Sequence, residues 1–96
     1  MALERPALTK NPDRSRYELV EADLVVGILD YRDEGDVVVL PHTYIEPSAR
    51  GRGLAATLVR FALDDLRAQG RVVDPSCWFV AQFIDVHADY QDLLAG

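Results

Sequence analysis

From Gly53 to Gln69 the apolar residues Leu54, Ala55, Leu58, Val59, Ala62, Leu63 and Leu66 recur at three- and four-residue steps, while Arg60, Asp64, Arg67 and Gln69 take other faces. That spacing predicts an amphipathic helix. Upstream, Val37-Val38-Val39-Leu40 is apolar on both sides, the pattern of a strand covered on both faces. Downstream, Gly70 supplies a left-handed stop and Arg71-Val72-Val73 returns as a short strand. Strand 37–46, helix and strand 71–74 therefore make a βαβ crossover, right-handed by default, with the two strands parallel.

The remaining segments fit around this unit. Arg16 to Ala22 and Leu24 to Arg32 are β-prone runs separated by a short acidic turn, and Asp33-Glu34-Gly35-Asp36 turns the chain into Val37, so two hairpins precede the crossover. Pro41 lacks an N–H for the ladder, which predicts a bulge or a lost neighbour at that level. Asp74-Pro75 or Ser76 can start a last main helix, with Phe79, Val80, Phe83 and Ile84 as its apolar face and an end near His87. Asp89 to Leu94 can add a final helical turn with Tyr90 packing back. The expected class is α/β (α+β): a mixed, mostly antiparallel sheet with one parallel crossover and two main helices.

The chain has 96 residues, enough for one domain. With 49% hydrophobic residues a packed core is expected. Residues 1–15 carry charges and two prolines without an apolar run, so they read as a flexible leader and 16–96 as the domain. A single cysteine makes no internal disulfide and no apolar run reaches membrane-spanning length, which points to a cytoplasmic protein. The net charge of −6 argues against nucleic-acid binding. It suits either a cationic acceptor or plain solubility. Two histidines, one cysteine and scattered acids lack metal-ligand spacing, so no metal is expected.

Between strand and helix lies Arg50-Gly51-Arg52-Gly53-Leu54-Ala55, where glycines let backbone N–H groups turn toward an anion and the helix adds unpaired donors and its positive dipole end. The loop lacks the Gly-Lys-Ser/Thr ending of a Walker loop and the three spaced glycines of a dinucleotide fingerprint. It matches Q/R-x-x-G-x-G/A, with Arg50 first, Gly53 fourth and Ala55 sixth. In this respect the chain resembles the GNAT superfamily of acyl-CoA-dependent N-acetyltransferases. His42-Thr43-Tyr44-Ile45, Pro75-Ser76-Cys77 and His87-Ala88-Asp89-Tyr90 follow in the order of its small single-domain subfamily, so the likeness runs from about Tyr17 to Leu94. Trp78 and Ala88 stand where that subfamily more often has proline.

The resemblance implies acetyl-CoA as cofactor. Coenzyme A would lie along Thr43, Tyr44 and Ile45 of a splayed strand, with its pyrophosphate on Arg50, Gly51, Arg52, Gly53, Leu54 and Ala55 and its reacting end near Ser76 and Cys77. A Cβ at Gly53 would obstruct close approach, and Arg50 or Arg52 could add charge-assisted hydrogen bonds. His42 is a candidate base or a structural histidine. Cys77, near a helix N-terminus, is either a covalent acyl acceptor or a buried thiol. Tyr90 is a candidate proton donor to the leaving thiolate, in competition with His87, while Tyr31, Tyr44 and Trp78 read as core or groove walls. The implied activity is transfer of an acetyl group to an amine by direct attack. The alternatives are a coenzyme A or acyl-CoA binding module without catalysis and an interaction protein without a ligand. Small amines, polyamines, peptide termini and lysine all remain open as acceptors, as does the oligomeric state.

Overall fold

The computed structural model describes residues 6–95. Strands β1 (Ala7–Asn11), β2 (Arg16–Glu21), β3 (Leu24–Glu34) and β4 (Val37–Ile45) precede helix α1 (Leu54–Ala68). Strand β5 (Val72–Asp74) and helix α2 (Trp78–Val86) complete the order. Short 3-10 turns fill Pro12–Arg14, Pro47–Ala49 and Ala88–Leu93. The sheet order is β1-β2-β3-β4-β5. Its pairs are antiparallel except β4 with β5, which the α1 crossover makes parallel. The expected mixed sheet and two main helices are therefore present.

Local chemistry explains the boundaries. Ala22 and Asp23 both have positive φ, as a two-residue hairpin turn demands. At the next turn the Asp33 carboxylate accepts the Gly35 N–H at 3.0 Å. Helix α1 ends in a Schellman motif, in which Arg71 N–H donates to the Leu66 carbonyl and Gly70 N–H to Arg67, with Gly70 at φ +70°. Its buried stripe, Leu54, Leu58, Val59, Ala62, Leu63 and Leu66, joins one core with Tyr17, Leu19, Leu29, Val38 and Leu40 of the sheet and Val80, Phe83 and Ile84 of α2. Gly27 permits this approach: a Cβ there would lie 2.7 Å from Ile45 Cδ1 and 3.6 Å from Leu58 Cδ2. Among the described residues no helix is long and apolar enough to cross a membrane.

Two expectations need correction. Within the leader assigned to 1–15, Ala7–Asn11 form β1, which pairs with β2. Leu8 packs against the core, and Lys10 lies over the Tyr17 and Tyr31 rings at 5.6 and 5.3 Å and pairs with Asp65 at 3.5 Å. Such a mixed apolar and basic alternation is a faint strand signal. Residues 1–5 of that leader, and Gly96, lie outside the described residues. The last helix starts at Trp78 rather than at Asp74 to Ser76, since Asp74 still belongs to β5 and Cys77 takes the N-cap position in extended backbone.

Pro41 has both of the predicted effects. Asp30 faces His42 and Arg32 faces Val39, so Leu40 and Pro41 together oppose Tyr31 in a bulge. On the other side, pairing with β5 stops at Val39 opposite Asp74. The Cys77 N–H makes one further bond, to the Leu40 carbonyl at 2.9 Å. Beyond it, β4 has no strand partner over Thr43 to Ile45 among the described residues on its α2 side.

Candidate active site

A groove follows that free edge. Its first stretch, about 320 Å³, is lined by Arg50, Gly51, Gly53, Leu54, Ala55 and Ala56 of the loop and first turn of α1, with Ile45, Ala49 and Phe79. The second, about 430 Å³, is lined by Thr43, Tyr44, Ile45, Arg50, Ala55, Cys77, Trp78 and Phe79. Shared walls, Ile45, Arg50, Ala55 and Phe79, make the two continuous. The groove thus runs from a helix N-terminus to the cysteine.

At the loop end the donors are backbone. Gly53 is the N-cap of α1, offers no side-chain cap, and leaves the first turn without an acidic residue. The first amide of α1 to find its helical partner is Thr57, which donates to the Gly53 carbonyl at 3.2 Å. The N–H groups of Leu54, Ala55 and Ala56 therefore project from the helix start as ready anion donors. Gly51 and Gly53 hold φ of +81° and +72°, a region that penalises any side chain. Within the protein nothing lies within 4 Å of a Cβ built at either. The glycines are thus required first by conformation.

Both loop arginines are engaged within the protein, and Arg50 also lines both stretches of the groove. Arg50 Nε donates to the Ile45 carbonyl at 2.8 Å, and its guanidinium sits 5.5 Å from the Tyr44 ring centre. Arg52 forms a fork with Glu21, at 2.9 and 2.5 Å, and does not line the groove. This pairing raises the Arg52 pKa and lowers that of Glu21.

At the other end side chains dominate. Thr43 Oγ1 lies 3.6 Å from Cys77 Sγ. Burial pushes the Cys77 thiol pKa up, but the Val80 N–H, the Thr43 hydroxyl and the Phe79 and Thr43 N–H groups together outweigh it, leaving the thiol below its ordinary value. A sulfur at a helix N-terminus with a hydroxyl beside it favours thiolate.

Two proposed catalytic residues are not brought to this thiol. Successive side chains of β4 alternate between faces, and Thr43 takes the one toward Cys77. His42 instead bonds through Nδ1 to Asp30 across the sheet at 3.2 Å and does not line the groove. Tyr90 is buried against α1, donating to Asp64 at 2.7 Å and accepting from Arg60 at 3.2 Å. Burial, then the Asp64 bond, raise its pKa. It lines neither stretch. His87 donates through Nδ1–H to the Phe83 carbonyl, 2.6 Å away, and its imidazole stacks on the Phe83 ring. Ser76 is exposed and also outside the groove. Conversely, sequence reasoning missed Phe79, Ala49 and Ala56 as walls. Phe79 was assigned to the core face of α2, and its place beside Cys77 was the available signal.

The GCN5-related N-acetyltransferase family model matches residues 16–93. Among solved structures, a GCN5-like protein from Staphylococcus aureus has a TM-score of 0.71 at 16% identity, over 100% of this chain and 92% of that one. A ribosomal-protein-alanine N-acetyltransferase from Brucella melitensis biovar Abortus has a TM-score of 0.55 at 18% identity, over 88% of this chain and 64% of that one. These two likenesses are of fold, whereas the family match spans most of the sequence. A sheet splayed at Pro41, a glycine loop opening α1 and a groove ending at Cys77 thus accompany a chain that belongs to the GCN5-related N-acetyltransferase family.

Proposed function

We propose that the protein binds acetyl-CoA in this groove and transfers the acetyl group to an amine by direct attack. The observation that carries the reading is the continuity of the groove from uncapped amides, through a free strand edge, to Cys77. The bound group would supply an activated acyl thioester. The N–H groups of Leu54, Ala55 and Ala56 suit its pyrophosphate. The α2-side edge of β4 from Thr43 to Ile45, which no strand among the described residues covers, suits the amides of its pantetheine arm. Cys77 suits proton transfer: its thiolate accepts the proton that the attacking amine loses. The single free cysteine fits work in the reducing cytoplasm.

Calorimetric titration with acetyl-CoA, followed by thiol release with small amines, polyamines and peptides, tests this. Saturable binding and amine-dependent release are expected. Binding without release would leave a coenzyme-binding module, and no binding would reject the reading. The lowered Cys77 pKa favours a second route in which Cys77 itself takes the acyl group before the amine. Parallel initial-rate lines would select it, and intersecting lines would select direct attack.

A further inference from the structure

Trp78 has 73% of its surface exposed although it is the first residue of α2, directly after Cys77. It lines the thiol end of the groove with Thr43, Cys77 and Phe79. Its aromatic neighbour is Phe79, met edge-on with ring centres 6.1 Å apart at 78°, so most of the indole remains in water. Phe79 in turn borders a shallow hollow of about 160 Å³ formed with Gln82, Phe83, Val86 and His87. Positions 79, 82, 83 and 86 share one helix face and span about 10 Å. Helix α2 carries a single charged side chain, Asp85, and Val86 is 67% exposed. Apolar surface therefore does not end where the thiol of the cofactor would lie; it continues past Cys77 along α2.

We propose that this track holds the hydrocarbon tail of an acyl group longer than acetyl, with Trp78 as its cover, so that the donors include medium-chain acyl thioesters. The proposal rests on the coenzyme reading above. Its occupant follows from continuity: the track joins the groove at the point from which an acyl chain would leave the sulfur, and Phe79, Phe83 and Val86 line its hollow with Gln82 and His87, without a carboxylate, ammonium or guanidinium group among them.

The test is calorimetry with coenzyme A, acetyl-CoA and hexanoyl-CoA, no amine being present, with emission from the chain's sole tryptophan as a second readout. A fully buried methylene is worth about fourfold in affinity. The four that separate the two donors, half covered in an open track, should tighten binding about tenfold. Hexanoyl-CoA should also move Trp78 emission to shorter wavelength more than coenzyme A does. Trp78→Ala, a change at an exposed position, should erase most of the chain-length gain, read within that variant as the ratio of hexanoyl-CoA to acetyl-CoA affinity. Trp78→Phe should retain part of the gain. Equal affinity for acetyl-CoA and hexanoyl-CoA, with coenzyme A still binding, overturns the proposal and spares the coenzyme reading. Failure of all three ligands to bind overturns both. Emission that follows protein concentration instead of ligand assigns the stripe to self-association and also overturns the proposal.

Discussion

The two ends of the groove are made of different material. The loop end is backbone: uncapped amides of α1 and glycines at φ +81° and +72°, with its arginines engaged by the Ile45 carbonyl and by Glu21. The thiol end is side chain: Thr43 and Cys77, 34 residues apart in sequence, with Trp78 and Phe79 beside them. A backbone site depends on conformation and is indifferent to nearby side-chain chemistry. A side-chain site shows the reverse dependence, because its electrostatics rest on individual hydroxyl and thiol groups.

The largest effect should come from Gly53→Val. A β-branched residue at φ +72° is strained by about 1–2 kcal/mol or more, and relief of that strain turns the first amides of α1 away from the groove. Losing one or two hydrogen bonds to a charged group, at about 1.5–3 kcal/mol each, weakens acetyl-CoA binding about a hundredfold. Calorimetry on a variant shown to be folded by circular dichroism measures it. A loss below threefold would detach the loop from the coenzyme.

At the thiol end the corresponding change is Thr43→Val, which keeps the backbone N–H and deletes the hydroxyl. The Cys77 pKa should rise and alkylation by iodoacetamide at pH 7 should slow several-fold. In the unchanged protein the alkylation midpoint should fall below the ordinary thiol value of about 8.5. The sign for stability follows: with a folded-state pKa below the unfolded one, the thiolate's contribution is present above the unfolded value and is lost as pH falls through the folded value. Thermal unfolding compared with Cys77→Ala across that window checks it. An unmoved alkylation profile in Thr43→Val would leave the hydroxyl without influence.

The same division governs what could be read from sequence. The loop, α1 and the crossover are contiguous in the chain, and their signals, spaced glycines and a helical stripe, are local. Pro41 was legible for the same reason, since the missing N–H is a property of that residue alone. The surroundings of Tyr90 and His42 were not legible because their neighbours come from elsewhere in the chain. Asp64 and Arg60 on α1 hold the Tyr90 hydroxyl. A bulge two positions wide on β4 fixes which of His42 and Thr43 turns toward Cys77. Strand β1 was missed because its inward residues are Leu8 and Lys10, and the lysine reads as a surface residue until the Tyr17 and Tyr31 rings are placed beneath it.

A smaller effect is expected at Arg52. If the loop end is backbone, Arg52→Ala weakens acetyl-CoA binding by no more than about threefold, since the guanidinium is already bound to Glu21. The modest loss comes from an unpaired carboxylate near the site, so adding Glu21→Ala restores the affinity. A tenfold loss that persists in the double variant would instead place Arg52 on the cofactor.

The smallest effect is predicted for His42→Ala, and it is the sharpest probe of where the thiol end stops. The imidazole and Asp30 are 58% and 37% exposed in their side chains, so their pairing is screened and its removal costs under about 1 kcal/mol. With Thr43 between His42 and the sulfur, the Cys77 alkylation profile should keep its midpoint and its rate within about twofold. Transfer to amines, once an acceptor is found, should change equally little. A displaced midpoint would mean that the field of the imidazole reaches Cys77 through the strand, and the chemistry would then occupy both faces of β4. An unmoved midpoint with a collapsed transfer rate would put the acceptor on the His42 face, with the acyl group crossing the sheet at the unpaired stretch after Pro41.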